Sequence, residues 1–475
     1  MGGTQMAIGI TAYGAYVPWN RLGPGTNGWT ASTERAVASF DEDSITMAVA
    51  AAINCLDGFP RQDVDALYFA STTPPYKEKS NATTVSVAAD LAFETLSMDF
   101  SDSLRAGTAA LQAAIDAVKG GSAKQVLLVA ADMRVPQPRS EFEPVFGDGA
   151  AALLVGNSKA AVRLEDSYAV SHEMLDIWRA DSDAFVRTWE DRFVVEEGYL
   201  RILPQVVSKL LNRNGLGPKD ITRAILYAPD SRRHREMVRK LGFDPENQVQ
   251  ESLFSTVGNT GTAFAPMMLA AALEQAKAGD RILLANYGNG ADAFLFRVTE
   301  EIEAIRNRRG VGAYIQSKRI LPDYETYAVW RGLIDKAPPT RRPLLRTPSP
   351  SAMHREESKN LRFHGTKCKR CGYPQYPPQR VCTRCHAKDE FEDYRFSDKK
   401  ARVFTYTHDR LGPTLDPPLT VTVIDFDGGG RTFSIMTDRD VDKLEIGMPV
   451  EMTFRRFYSS EGIHNYYWKC MPVRA

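Results

Sequence analysis

Two stretches of the chain repeat one succession of apolar and polar positions. From Gly107, GTAALQAAIDAVKGGSAKQVLLVA opens on Gly-Thr-Ala, continues as an Ala-rich segment with apolar residues at helical spacing, breaks at glycine and ends in a short apolar run. From Gly261, GTAFAPMMLAAALEQAKAGDRILLAN does the same. Each predicts a helix followed by a strand of the buried type. A Gly-Asx-Gly turn and another apolar run follow in both places: FGDGAAALLVG around Asp148 and YGNGADAFLF around Asn289. Helix, strand, turn and strand occurring twice, about 154 residues apart, predict an α/β domain duplicated from two similar halves.

Near the C-terminal end the pattern changes. ARVFTYTHDR, PLTVTVIDFDGGGRTFSIMTD, GMPVEMTFRRFY and YYWKCMPV alternate apolar and polar residues in short runs split by Gly, Pro and Asp, which predicts about five strands in a small Greek-key barrel. Residues 336–360, rich in Pro, Arg and Ser, read as a linker or docking segment.

Composition narrows this picture. A chain of 475 residues exceeds one ordinary core, so two or three domains are expected. Lys+Arg and Asp+Glu both number 59, leaving no net field to attract nucleic acid or an anionic membrane. No segment approaches the roughly 20 apolar residues that cross a bilayer, and MGGTQMAIGITAYGAYVP lacks a basic start before an apolar run, so a cytoplasmic protein is expected. Of six cysteines, four fall within eighteen residues as two CxxC pairs: Cys368 and Cys371, then Cys382 and Cys385. Cysteines so placed suit metal binding in a reducing compartment better than a disulfide framework. Two knuckles ten residues apart can wrap one zinc ion tetrahedrally, and four thiolates leave it no open position for catalysis. The expected role is structural; His386 is adjacent but surplus.

The duplicated halves, the GDGAAA and GNTGTA turns and the GDRILLANYGNGADAF run resemble the thiolase superfamily, and within it 3-hydroxy-3-methylglutaryl-CoA synthase and ketoacyl synthase III. FASTTPPYKEKSNATT, around Tyr76, and SKRILPDYETYAVWRG, around Tyr324, are similar to the archaeal type of that synthase. The resemblance covers about residues 6 to 333. It implies an α/β class fold, a duplicated five-layer α/β/α/β/α domain. The ribbon leading into an OB-like barrel resembles the DUF35 family, whose members are similar to acyl-CoA-binding partners of thiolases. The expected organisation is a thiolase-like domain over 1–335, with halves of about 6–160 and 161–333, the linker over 336–360, a zinc ribbon over 361–392 and an OB-fold barrel over 393–475.

The resemblance implies a cysteine thiolate at the amino end of a helix, four residues before a threonine; counting back from Thr108 gives Leu104. The general acid/base glutamate falls on Thr72 and the histidine on Tyr227, whereas the asparagine of the Gly-Asn-Thr turn is kept as Asn259. Leucine has no nucleophile and threonine moves no proton near neutral pH. Displacing the alignment by one would offer Ser103, which needs an adjacent base. Three functional expectations follow. In one, the chain is an acyl-CoA-binding, non-nucleophilic subunit in a hetero-oligomer with a thiolase-like protein, a complex that makes or breaks a C–C bond beside a coenzyme A thioester. In a second, it is a cysteine-independent retro-aldolase of a 3-hydroxyacyl-CoA, with Tyr227 and Asn259 as first candidates and Asp230 and His234 as neighbours. A third is an acyl-CoA-binding scaffold without chemistry. FRRFY and HNYYWK interleave basic and aromatic residues, a nucleic-acid pattern in some OB-folds, but the acyl-CoA scaffold upstream argues against nucleic acid.

Overall fold

The computed structural model describes residues 8–306, 308–335 and 347–474. They divide into two compact units, one holding residues up to Ala38, Asp43–Ser86 and Leu91–Tyr324, the other Ser39–Glu42, Val87–Asp90 and the chain from Glu325 onward.

In the first unit, nine strands among the described residues form one sheet: β1 (Gly9–Tyr16), β2 (Ala66–Ala70), β3 (Leu96–Phe100), β4 (Gln125–Asp132), β5 (Gly149–Gly156), β6 (Val162–Ser171), β7 (Arg223–Leu226), β8 (Arg281–Tyr287) and β9 (Gly290–Val298). Their order is β7-β8-β9-β6-β1-β5-β4-β2-β3. Read outward from the centre, the two halves repeat. β1 pairs antiparallel with β5, β5 antiparallel with β4, and β4 parallel with β2; β6 pairs antiparallel with β9, β9 antiparallel with β8, and β8 parallel with β7. Beyond β2 lies β3, and beyond β7 the parallel bridge from Ala224 to Val249 takes the matching place. The half-sheets meet where Gly9 and Ile10 pair with Arg163 and Val162.

Five helices matter here: α1 (Ser44–Cys55), α2 (Ala106–Gly120), α3 (Leu200–Arg213), α4 (Ser231–Leu241) and α5 (Phe264–Leu273). α1 starts at a capping box between Asp43 and Thr46, which satisfies two otherwise orphaned amides. α2 buries one stripe and ends on Gly121 at φ 74°, a left-handed stop that glycine adopts without strain. α5 is buried nearly all round and packs against α2. The repeated Gly-Thr-Ala marks that meeting. A Cβ on Gly107 would lie 2.4 Å from the Thr262 carbonyl oxygen, and one on Gly261 2.2 Å from an Asp132 carboxylate oxygen, so each copy needs glycine where it approaches the other half.

The second unit carries a ribbon and a barrel. In the ribbon, β10 (His364–Cys368) lies between β11 (Pro374–Gln375) and β12 (Phe391–Arg395). Strands β13 (Ala401–Asp409), β14 (Leu419–Phe426), β15 (Arg431–Met436), β16 (Pro449–Ser460) and β17 (Ile463–Pro472) close a barrel in the order β13-β14-β15-β17-β16, the connectivity of an OB-fold. Residues alternate between core and surface along β14, as a barrel strand requires. FRRFY and HNYYWK are largely turned to internal use. Trp468 is in the core and its indole donates to the Leu361 carbonyl at 2.8 Å. Arg455 is fully buried and paired with Glu42 (2.7 Å) and Asp438 (2.6 Å), and Lys469 with Asp41 (2.8 Å). Residues 336–346 of the expected linker lie outside the described residues; beyond them Pro350–Arg355 and Glu357–Asn360 are short helices. No helix among the described residues is long and apolar enough to cross a membrane.

Candidate functional site

A cavity of about 450 Å³ opens in the first unit. Its walls come from the loop after β2, the start of α2, the segment after β4, residues 176–199, the ends of β7 and β8, and Asn259. Leu104, Thr72, Tyr227 and Asn259 all line it. Leu104, 9% exposed, sits two residues before α2, where aligned peptide dipoles would favour a thiolate if one were present. Beside it, Ser103 donates its hydroxyl to the Gly288 carbonyl (3.2 Å) and accepts from the Arg105 amide (3.1 Å). Its proton is held by a carbonyl and not by a base.

Thr72 is clamped. Its amide and hydroxyl both donate to Asp132 (2.7 and 3.0 Å), which also accepts from the Ser71 and Thr73 hydroxyls (3.0 and 3.1 Å) and the Thr262 amide (2.8 Å). Asp132 therefore ties the loop after β2 to the other half, and the Thr72 hydroxyl is engaged with it. Tyr227 is buried, and its hydroxyl accepts from the Asn259 side-chain amide at 3.4 Å. The Gly261 amide donates to Asn259 Oδ1 (3.0 Å), which turns the side-chain nitrogen toward Tyr227. Burial pushes the Tyr227 phenol up to about 12, with Arg134 opposing. At neutral pH it is a hydrogen-bond donor and not a base.

The segment from 172 to 199 supplies a group that sequence reasoning missed. Asp176 lines the cavity, and burial, reinforced by Asp191, raises its carboxyl to about 6, with Arg134 pulling the other way. Arg134 is itself buried, 3.8 Å above the Phe146 ring, with Nη1 unpartnered among the described residues. Near Asp176 stands Tyr287, whose phenol is raised mainly by burial and then by that carboxyl. A π-helical turn, Val195–Tyr199, completes this wall, and Tyr199 donates to the Tyr227 carbonyl at 2.8 Å; such turns recur at functional sites. Nothing local in SHEMLDIWRADSD distinguishes Asp176. Its character arises from groups distant in sequence.

The two expected neighbours of Tyr227 are not among the residues that line this cavity, although Asp230 is near enough for its charge to raise the Tyr227 phenol. Asp230 caps α4 by accepting from the Arg233 amide (2.9 Å). His234, in the first turn of α4, lines a different cavity.

In the ribbon, the four sulfur atoms of Cys368, Cys371, Cys382 and Cys385 lie within 4.8 Å of one another, with Cys368–Cys385 and Cys371–Cys382 both at 3.6 Å. Zinc–sulfur bonds of about 2.3 Å in a tetrahedron require sulfurs about 3.8 Å apart, so the thiols fit that ion. The Arg384 amide points at Cys382 Sγ (3.4 Å), a donor suited to a thiolate. His386 stands outside the set.

Comparison with known proteins agrees with this anatomy. Residues 98–171 match the family model "3-Oxoacyl-[acyl-carrier-protein (ACP)] synthase III" and residues 211–297 its "C terminal" counterpart. Residues 359–392 match "ChsH2, rubredoxin-like zinc ribbon domain" and residues 394–455 "ChsH2, C-terminal OB-fold domain". Among solved structures, MvaS in complex with 3-hydroxy-3-methylglutaryl coenzyme A superposes with a TM-score of 0.61 at 22% identity, over 71% of this chain and 94% of that one. Aquifex aeolicus 3-oxoacyl-[acyl-carrier-protein] synthase III gives 0.55 at 25% identity, over 61% and 99%. The fold is thus the duplicated thiolase-like α/β/α/β/α fold, followed by a zinc ribbon and an OB-fold. Hydroxymethylglutaryl-CoA synthase of Methanopyrus kandleri is 32% identical over 68% of this chain and 96% of that protein, and that of Pyrococcus horikoshii 33% over 68% and 95%. The chain belongs to the hydroxymethylglutaryl-CoA synthase family.

Proposed function

We propose that the chain binds an acyl-CoA in the cavity beside Leu104 and makes or breaks a carbon–carbon bond next to the thioester without an acyl-enzyme, as an aldolase or retro-aldolase of a 3-hydroxyacyl-CoA. One observation carries the reading: the cavity that has leucine at the nucleophile's place also holds Asp176, a carboxyl raised to about 6. Such a group is mostly ionised at neutral pH yet basic enough to take a proton. In the cleavage direction Asp176 takes the proton of the 3-hydroxyl, the C2–C3 bond breaks to leave a carbonyl compound, and the electron pair moves to the thioester oxygen as an enolate. The Tyr227 hydroxyl, oriented by Asn259, donates to that oxygen, and the unpartnered Arg134 Nη1 adds positive charge. Protonation of the enolate at C2 releases the shortened acyl-CoA. The family relatives and the solved neighbour are named for a 3-hydroxyacyl thioester of this kind.

Incubating the purified chain with 3-hydroxyacyl-CoA esters and following the shortened acyl-CoA by mass spectrometry tests the reading. Turnover abolished in Asp176→Asn and strongly reduced in Tyr227→Phe is expected; no turnover in the wild type, or an unaffected Asp176→Asn, would sink it. A second reading draws on the clamp of Thr72 on Asp132 and the fused ribbon and OB-fold. There the chain is the non-nucleophilic subunit of a hetero-oligomer and a thiolase-like protein supplies the chemistry. Co-purification of such a protein with an inactive chain would favour it. In both readings the ribbon holds one structural zinc ion.

A further inference from the structure

His234 belongs to a second cavity that the proposed chemistry leaves unused. About 400 Å³ in volume, it is walled by α4 and by residues 245–252, and it shares no lining residue with the cavity beside Leu104. His234 is 7% exposed, and its Nε2 has no hydrogen-bond partner among the described residues. Burial and Arg235 push the imidazole down to about 4, so the ring is neutral. A buried polar atom without a partner bears a desolvation cost that a ligand's hydrogen bond removes.

The rest of the wall has complementary chemistry. Val238, Pro245 and Val249 give apolar surface, and Arg235 and Arg239, four residues apart, stand on one face of the helix at the exposed rim. Arg233, on another face, is paired to Glu236 at 2.8 Å, whereas neither Arg235 nor Arg239 holds a carboxylate among the described residues. Glu251 also lines the cavity. Two guanidinium groups against one carboxylate leave a single uncompensated positive charge, which suits a monoanion.

The geometry points to a ligand site for a small amphipathic carboxylate, its anionic group held by Arg235 and Arg239, its body against Val238 and Val249, and a polar group at its far end meeting His234 Nε2. The site stands independently of the proposed reaction. Calorimetric titration of the full chain tests it with three probes: 4-hydroxybenzoate, benzoate without the far hydroxyl, and phenol without the anion. Saturable binding of 4-hydroxybenzoate is expected, with benzoate and phenol each about tenfold weaker, the effect of removing one hydrogen bond or one exposed ion pair. Arg235→Gln/Arg239→Gln, at exposed positions that leave the fold alone, weakens 4-hydroxybenzoate at least about tenfold but not phenol. His234→Phe abolishes the preference for 4-hydroxybenzoate over benzoate. No saturable binding of 4-hydroxybenzoate below about 10 mM, or equal affinity in the double arginine variant, overturns the assignment.

Discussion

Replacing Asp176 by asparagine is expected to make the protein more stable and less active at once. In the folded chain this carboxyl titrates at about 6, against an ordinary value of 3.8, so ionising it costs more folded than unfolded. Below about pH 4 both states hold the proton and the cost is absent. Between about pH 4 and 6 the unfolded chain releases a proton that the folded chain keeps, and stability falls as pH rises. Above about pH 7 both are ionised and the full cost remains. A shift of roughly two units corresponds to about 3 kcal/mol, an upper figure because Asp176 reaches some solvent. Asp176→Asn removes it. Urea unfolding of the first unit, followed from pH 5 to 8, should show the variant gaining stability over wild type as pH rises, then levelling off at up to about 3 kcal/mol. The same variant should lose roughly a hundredfold or more of retro-aldol turnover, the usual contribution of a general base, while wild-type kcat/KM rises with pH through about 6. A variant less stable than wild type at pH 8 would refute the electrostatic argument, whatever its activity.

Leu104→Cys should not restore condensation when acetyl-CoA and acetoacetyl-CoA are supplied, because Thr72 and Tyr227 still stand where the resemblance places the glutamate and the histidine; product analysis by mass spectrometry decides. Gly107→Ala forces a methyl group to within 2.4 Å of the Thr262 carbonyl, and should destabilise the first unit by about 1–3 kcal/mol in urea. Metal analysis should find one zinc per chain, lost in Cys382→Ser, with proteolytic cleavage then appearing within the ribbon while the acyl cavity still binds coenzyme A thioesters. Tyr227→Phe should lower kcat more than it raises KM, since its hydroxyl acts on developing charge; equal KM and kcat effects would assign it to binding instead.

The repeat and the ribbon were legible because their signals are local. Gly107 and Gly261 are fixed by close approach within the fold, and the CxxC knuckles carry their geometry in their spacing. Leu104, Thr72, Tyr227 and Asn259 were readable one position at a time, through resemblance, and folding places them in one cavity. The clamp on Thr72 was not readable, since Asp132 gathers donors from Ser71 and Thr262 across both halves. Asp176 was invisible for the same reason: it is an ordinary carboxylate in a polar stretch until Asp191, Arg134 and burial act on it together. His234 illustrates the reverse error. Closeness in sequence to Tyr227 suggested shared chemistry, but it lines a different cavity.

The leucine at the start of α2 has a consequence for life under oxidising stress. A catalytic thiolate is the most vulnerable group in an enzyme that uses one, the first to be captured by peroxide or an alkylating electrophile. Of the six cysteines here, four cluster as a metal-binding set, and the other two, Cys55 and Cys470, are buried with thiols raised by desolvation. The residues that line the cavity beside Leu104 include no cysteine or methionine. Under the proposed chemistry, carried by a carboxyl and a phenol, the centre would keep working through oxidative episodes that silence an enzyme dependent on a thiolate.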